Sequence, residues 1–411
     1  MPDHRCFLLQ AILLLLTLFG CSRPSAETPH PLTHEAYLWQ DPARPAAITA
    51  ITRARGHLDG ICVLVAEGGW KHGKLTLRKC AEAPRGDGFS YVIRLGQSTA
   101  GLDWTGDHGS AVSALVAELA ALHPREIQID YDCPSRRLSD YKQFLLTLQK
   151  SAADVRLTFT ALPSWLDTPT FEPLAKAFPG YVLQVHALEL PESPEVPLVL
   201  CDPTVAHRAV KRASSYGVAF RVALPTYGSE ALFGADGKVL DVISEDQTSI
   251  APERITMRSR VFADPVVMAD LVRQWTAQAP PEMRGICWYR LPVQGDRRNW
   301  SWETFVAVIQ GHASPAQLEV RAEKTSGSAH DVVIVNTGEN HAALPQCVIL
   351  PDNLLAVDAA RPYSVIGKNP RVLKRDPLAP DWPWLPAGQR CVIGWFQHPA
   401  PPAHLKFTSQ P

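Results

Sequence analysis

Between residues 34 and 311, short apolar runs alternate with segments of helical period, and that alternation restricts the chain to parallel βα units. Eight strand candidates occur in order: EAYLW, GICVLVAE, SYVIRL, EIQIDYD, VRLTFTAL, YVLQVHAL, VAFRVALP and GICWYRLP. The spacing predicts helices from Pro45 to Arg55, Ser110 to Leu122, Ser139 to Lys150, Thr170 to Phe178, Thr204 to Tyr216, Asp264 to Ala277 and Trp302 to Ile309, with Ser110 and Thr204 as N-caps. The stretch 69–90 reads as irregular. Eight strands with crossover helices in about 280 residues match a (β/α)8 TIM-like barrel in count and size. An open doubly wound sheet competes, but no GxGxxG follows the first strand.

From Pro315 the pattern turns to period-two runs (QLEVRAE, DVVIVNTG, CVILP, RCVIGWF) broken by Pro, Gly and Asn, which read as a smaller β-sandwich-like domain over 315–411. The segment from Tyr227 to Arg260 is long for a βα loop and carries a hairpin signal, ALFGADGKVLDVI. Loops after strands form the active face of such barrels, so this one is expected to cover that face.

The N-terminus holds Arg5, the apolar run CFLLQAILLLLTLFG and then Cys21. That run suits a signal peptide better than a membrane span. Leu18-Phe19-Gly20-Cys21 resembles the bacterial lipobox, which implies a signal peptide over 1–21, a diacylated Cys21 and a polar tether over 22–33. Ser22 after the cysteine implies sorting to the outer membrane of the cell envelope; an ordinary secretory signal cut beyond Cys21 is the alternative. With 40 Lys+Arg against 41 Asp+Glu, nothing in the charge balance favours nucleic acid. Seven cysteines remain once Cys6 and Cys21 are set aside, and without a CxxC the pattern calls for no metal or other cofactor. Cys347 and Cys391 are the pair expected to form a disulfide. Oligomeric state is not encoded.

Within EIQIDYDCPS, Gln128, Asp130 and Asp132 alternate with Ile127, Ile129 and Tyr131. The apolar face of a barrel strand packs on helices, so the acids point inward. The same alternation sends Arg94, Thr158, Thr160, Gln184, His186 and Arg221 inside. Buried polar groups are costly unless paired, which favours Asp130 with Arg94 or Arg221. A purely structural ion network would explain these residues. Asp132, however, ends its strand, where barrel chemistry sits, and Gln184 and His186 end theirs. Trp39, Trp70, Trp165, Tyr227 and Trp288 fall at or just past strand ends, and such rings suit sugar faces.

These strand ends resemble chitinase-like family 18 glycoside hydrolases, whose fourth strand reads DxxDxDxE followed by an aromatic and Pro. On that motif Asp132 falls on the terminal acid, Asp130 on the preceding Asp and Pro134 on the Pro; LPTYG (224–228) resembles PxYG, and GICW (285–288) the final strand ending in Trp. Departures are specific: Asp132 is one methylene shorter than Glu, Gln128 replaces the innermost Asp, and His186 stands near the place of an activating Tyr. Because proton transfer needs hydrogen-bond reach, the shorter acid argues against unchanged substrate-assisted cleavage. The whole chain resembles an uncharacterised bacterial lipoprotein family, a domain of unknown function. The leading expectation is a surface-anchored glycoside hydrolase acting on a polysaccharide or envelope glycan, with Asp132 as general acid, Asp130 tuning it, and Glu67 as the candidate second carboxylate. Two rivals stay open: a non-catalytic glycan-binding lipoprotein and a periplasmic scaffold.

Overall fold

The computed structural model describes residues 31–408 except 72–73, 81, 87, 97–106, 187–192, 194 and 245–247; the side chains of residues 70, 71, 74, 107 and 108 are likewise outside the description. The expected signal segment and Cys21, most of the tether, and the Trp70 side chain therefore lie outside the described residues. Eight parallel strands close a barrel: β1 (Thr33–Leu38), β2 (Gly60–Lys71), β4 (Phe89–Leu95), β5 (Ile127–Tyr131), β6 (Leu157–Ala161), β7 (Tyr181–Gln184), β8 (Phe220–Pro225) and β12 (Met283–Tyr289). β1 pairs with both β2 and β12, which closes the ring and excludes the open sheet. In place of a helix after β2, the strand runs on into an antiparallel hairpin with β3 (Lys74–Lys79).

Strand alternation separates two cores. Ile127, Ile129 and Tyr131 face outward into the layer between sheet and helices, with Phe144, Phe159 and Leu174. Tyr37, Cys62, Val92, Val182 and Cys287 fill the barrel's interior. That is what a period-two pattern on a closed sheet dictates.

Seven helices occur among the described residues: Pro45–Ala54, Asp107–Ala120, Leu138–Ser151, Phe171–Ala175, Pro203–Ser214, Pro265–Gln278 and Trp302–Ile309. Two of the expected caps are displaced. The second helix begins at Asp107, so Ser110 lies inside it. The fifth is capped by Asp202, whose side chain accepts from the Thr204 and Val205 N–H groups, and Pro203 fills its first turn.

The long segment after β8 is a small antiparallel sheet of β9 (Gly228–Phe233), β10 (Val239–Ile243) and β11 (Met257–Phe262), with β9 central. Beyond the barrel, one four-stranded antiparallel sheet contains Leu318–Ser326, Ala329–Asn336, Ala356–Ala359 and Arg390–Gln397, and another contains Cys347–Ile349, Tyr363–Ile366, Val372–Arg375 and Lys406–Thr408. Val332, Ile334, Val348, Leu373 and Phe396 form the core of this region. Cys347 and Cys391 belong to different sheets and both are free thiols, against the expected disulfide. No helix among the described residues is long and apolar enough to cross a membrane.

Candidate functional site

At the C-terminal ends of the barrel strands lies a cavity of about 580 Å³. Asp130 and Asp132 enter it from β5 and the residues just beyond, Gln184 and His186 from the end of β7, and Tyr289 and Arg290 from the end of β12. Asp130 and Asp132 are the acids among the described residues lining it.

Asp130 sits in the polar floor. Its Oδ1 accepts from the Thr160 hydroxyl at 2.8 Å and the Gln184 amide at 3.1 Å, and its Oδ2 lies 4.0 Å from Arg94 Nε. One layer deeper, the Tyr37 hydroxyl donates to Gln128 Oε1 at 2.5 Å. Asp132 is placed differently, partly exposed at the strand's end. Burial raises its carboxyl above the ordinary carboxylate range, the neighbouring Asp130 raises it further, and Arg94 opposes both.

The walls are aromatic. His186 stacks on Tyr289 with ring centroids 5.3 Å apart, Tyr227 meets Tyr289 edge-on at 5.4 Å, and Trp39 meets Tyr289 edge-on at 5.0 Å. Arg94 lies over the Trp39 ring at 5.8 Å. Thr226 and Arg290 exchange hydrogen bonds that tie the end of β8 to that of β12. Arg290 in turn grips Asp296 through Nε and Nη2 and donates from Nη1 to the Ser244 carbonyl. Val242, Ile243 and Ser244 line the cavity from the β10 end of the small sheet, where the hairpin was expected to cover it.

Four of the expected site residues are elsewhere. Arg221 lies at the other end of the barrel, where its guanidinium bonds Glu35 and Glu126. The sequence identifies its inward direction but not its layer, and the N-terminal face of a barrel is where stability is built. Glu67 is in register with Arg94, but its carboxylate turns to Arg78 of the β2–β3 hairpin at 2.5 Å, outside the Asp132 cavity. Trp165 is 1% exposed and packs edge-on to Tyr141 outside the barrel. Trp288 is fully buried against Phe305, its indole N–H donating to His34. The inward residue of that strand's end is Tyr289, which shares the parity of Cys287. Alternation alone contains this signal; Tyr37 and Arg290 had none as clear.

His186 and His341, each 8% exposed, are held at about 4 instead of 6.5 by burial. Both are neutral in the folded chain at neutral pH, whereas the unfolded chain takes up protons as pH falls through 6.5. Their contribution to stability is therefore complete above pH 6.5 and lost as pH falls toward 4, by up to about 3 kcal/mol each. Urea melts at pH 7 and pH 4.5 check this: His186→Gln should reduce the difference between the two.

With the site in view, comparison places the chain. A family described as Domain of unknown function (DUF3142) matches residues 88–294, half of the chain. This chain belongs to that family. No curated protein matches it. Among solved structures, it is similar to a chitinase from Chromobacterium violaceum (12% identity, 69% of this chain and 98% of that one, TM-score 0.45). It is also similar to the spore cortex-lytic enzyme SleL of Bacillus cereus (11% identity, 69% and 75%, TM-score 0.48) and a chitinase of Bacillus thuringiensis (10% identity, 92% and 100%, TM-score 0.42). The neighbours are chitinase-like barrels at great sequence distance.

Proposed function

We propose that the chain is a glycoside hydrolase acting on a polysaccharide or envelope glycan, held at the outer membrane through a lipid on Cys21. The observation that carries the reading is the unequal pair of carboxyls in an aromatic-walled cavity. Asp130 is held by Thr160 and Gln184 in the floor, while Asp132, raised by burial and by Asp130, stands at the strand's end. A carboxyl raised by its surroundings, beside one fixed by hydrogen bonds, gives the two acids different roles, with Asp132 the proton donor. In this reading Asp132 passes its proton to the glycosidic oxygen as the bond to the anomeric carbon breaks. Arg94 stabilises the carboxylate left behind, and water then adds to that carbon and gives up a proton that returns Asp132 to its acid form. Trp39, Tyr227 and Tyr289 offer ring surfaces to the sugar.

A screen of released reducing ends over a panel of polysaccharides tests the reading through its pH dependence. The active form has Asp132 protonated, so activity falls as pH rises through the Asp132 pKa. Asp130→Asn removes a like charge and should move this alkaline limb to lower pH; Arg94→Met removes the opposing charge and should move it to higher pH. Shifts in the same direction would assign the limb to another group. The mass of the mature chain tests the lipid on Cys21 separately.

A second reading, a non-catalytic glycan-binding lipoprotein, is favoured by the short reach of Asp132. It predicts saturable binding with no reducing ends released by the wild-type chain. An open cavity at the strand ends counts against a ligand-free scaffold.

A further inference from the structure

The residues that wall the Asp132 cavity also face away from it into other space. Trp39 and Arg290 line a second cavity of about 530 Å³, and residues 293–296 of that cavity line a third, of about 760 Å³. The third is a cleft where helix Pro45–Ala54 and the loop after β12 meet the C-terminal region. Its surface is rich in indole. Trp382 and Trp384 stack at 4.7 Å between centroids, and Trp302 lies beneath the Arg53 guanidinium at 5.2 Å. Arg53, Gln294, Asp296 and Glu303 supply charged and hydrogen-bonding groups around these rings.

We propose that this cleft is a remote subsite for the same polysaccharide chain that enters the Asp132 cavity, so that the protein selects long chains over short ones. Indole faces take the CH side of sugar rings, while Arg53, Gln294 and Glu303 at the rim take hydroxyls. The shared lining residues make the three cavities neighbours, which one long polymer would meet in turn. The proposal rests on the glycan reading above, and its test separates the two.

The full chain carrying Asp132→Asn, which blocks turnover, is titrated calorimetrically with disaccharides and octasaccharides of N-acetylglucosamine, glucose and mannose. At least one octasaccharide should bind tighter than its disaccharide. Trp384→Ala should weaken the octasaccharide by about tenfold and leave the disaccharide unchanged. Trp384 also packs on Phe262, so a second variant guards against misfolding. Gln294→Trp places a bulky ring at an exposed position shared by the second and third cavities and should produce the same selective loss. If the disaccharide binds and the octasaccharide gains nothing, or if folded variants weaken both equally or neither, the remote subsite is wrong while the Asp132 reading survives. If no oligosaccharide binds at all, both fall.

Discussion

Asp132→Asn is expected to lower glycan turnover by about 10²- to 10⁴-fold, the range supplied by a positioned general acid, while leaving glycan affinity within a factor of two or so. The replacement keeps the size and planarity of the side chain and removes only the transferable proton. The rings of Trp39, Tyr227 and Tyr289 that line the cavity are untouched. A raised carboxyl also has a signature in stability. The folded chain holds the Asp132 proton more tightly than the unfolded chain, so the stability linked to it is present at low pH and lost as pH rises through the folded pKa. At neutral pH the amide should therefore raise the melting temperature slightly. Loss of turnover together with a gain in stability marks a functional acid; loss of both would mark a structural one.

Glu230→Gln should cost about 3–5 kcal/mol, the scale of breaking a buried ion pair by removing one partner. Glu230 is fully buried in β9 and meets Arg258 Nη1 at 3.2 Å, Arg260 Nε at 2.6 Å and Arg298 Nη2 at 3.1 Å, each arginine side chain under 10% exposed. One carboxylate thus compensates three guanidiniums. Burial lowers Arg260 to about 10 even with Glu230 opposing, and Arg375 and Arg258 add to the lowering. Glutamine preserves the shape and leaves like charges facing one another in a poorly solvated space. Urea unfolding at pH 7 measures the loss, and Arg258→Met, which relieves repulsion as well as breaking a pair, should cost less.

Period-two alternation made the eight strands and the direction of their side chains legible, because a closed sheet buries its two faces against different partners. It brought Arg94, Asp130, Asp132, Gln184 and His186 to one cavity. Layer and terminus were not legible. Arg221 faces inward as expected but two glutamates at the opposite end hold it, since its height in the barrel depends on how neighbouring strands are staggered. A register shift between Leu64 and Ala66 sets Glu67 opposite Arg94, yet its carboxylate is captured by a hairpin arginine that no local pattern announces. Trp165 and Trp288 show that an aromatic at a strand end packs on a helix as readily as it faces a ligand. Glu230 gave no signal, because every residue of β9 is buried and alternation vanishes.

The roof over Asp132 is not made by the barrel itself. Val242, Ile243 and Ser244 belong to the β9–β11 sheet, and that sheet is braced from beyond the barrel: Arg260 donates to the Pro377 and Ala379 carbonyls, and Arg298 stacks on Trp382 at 4.4 Å. Trimming the chain back to its barrel would therefore slacken the lip of the cavity while sparing every residue in its floor. Sequence change in the C-terminal region gives evolution a way to retune what enters the cavity, with the acid pair left as it is.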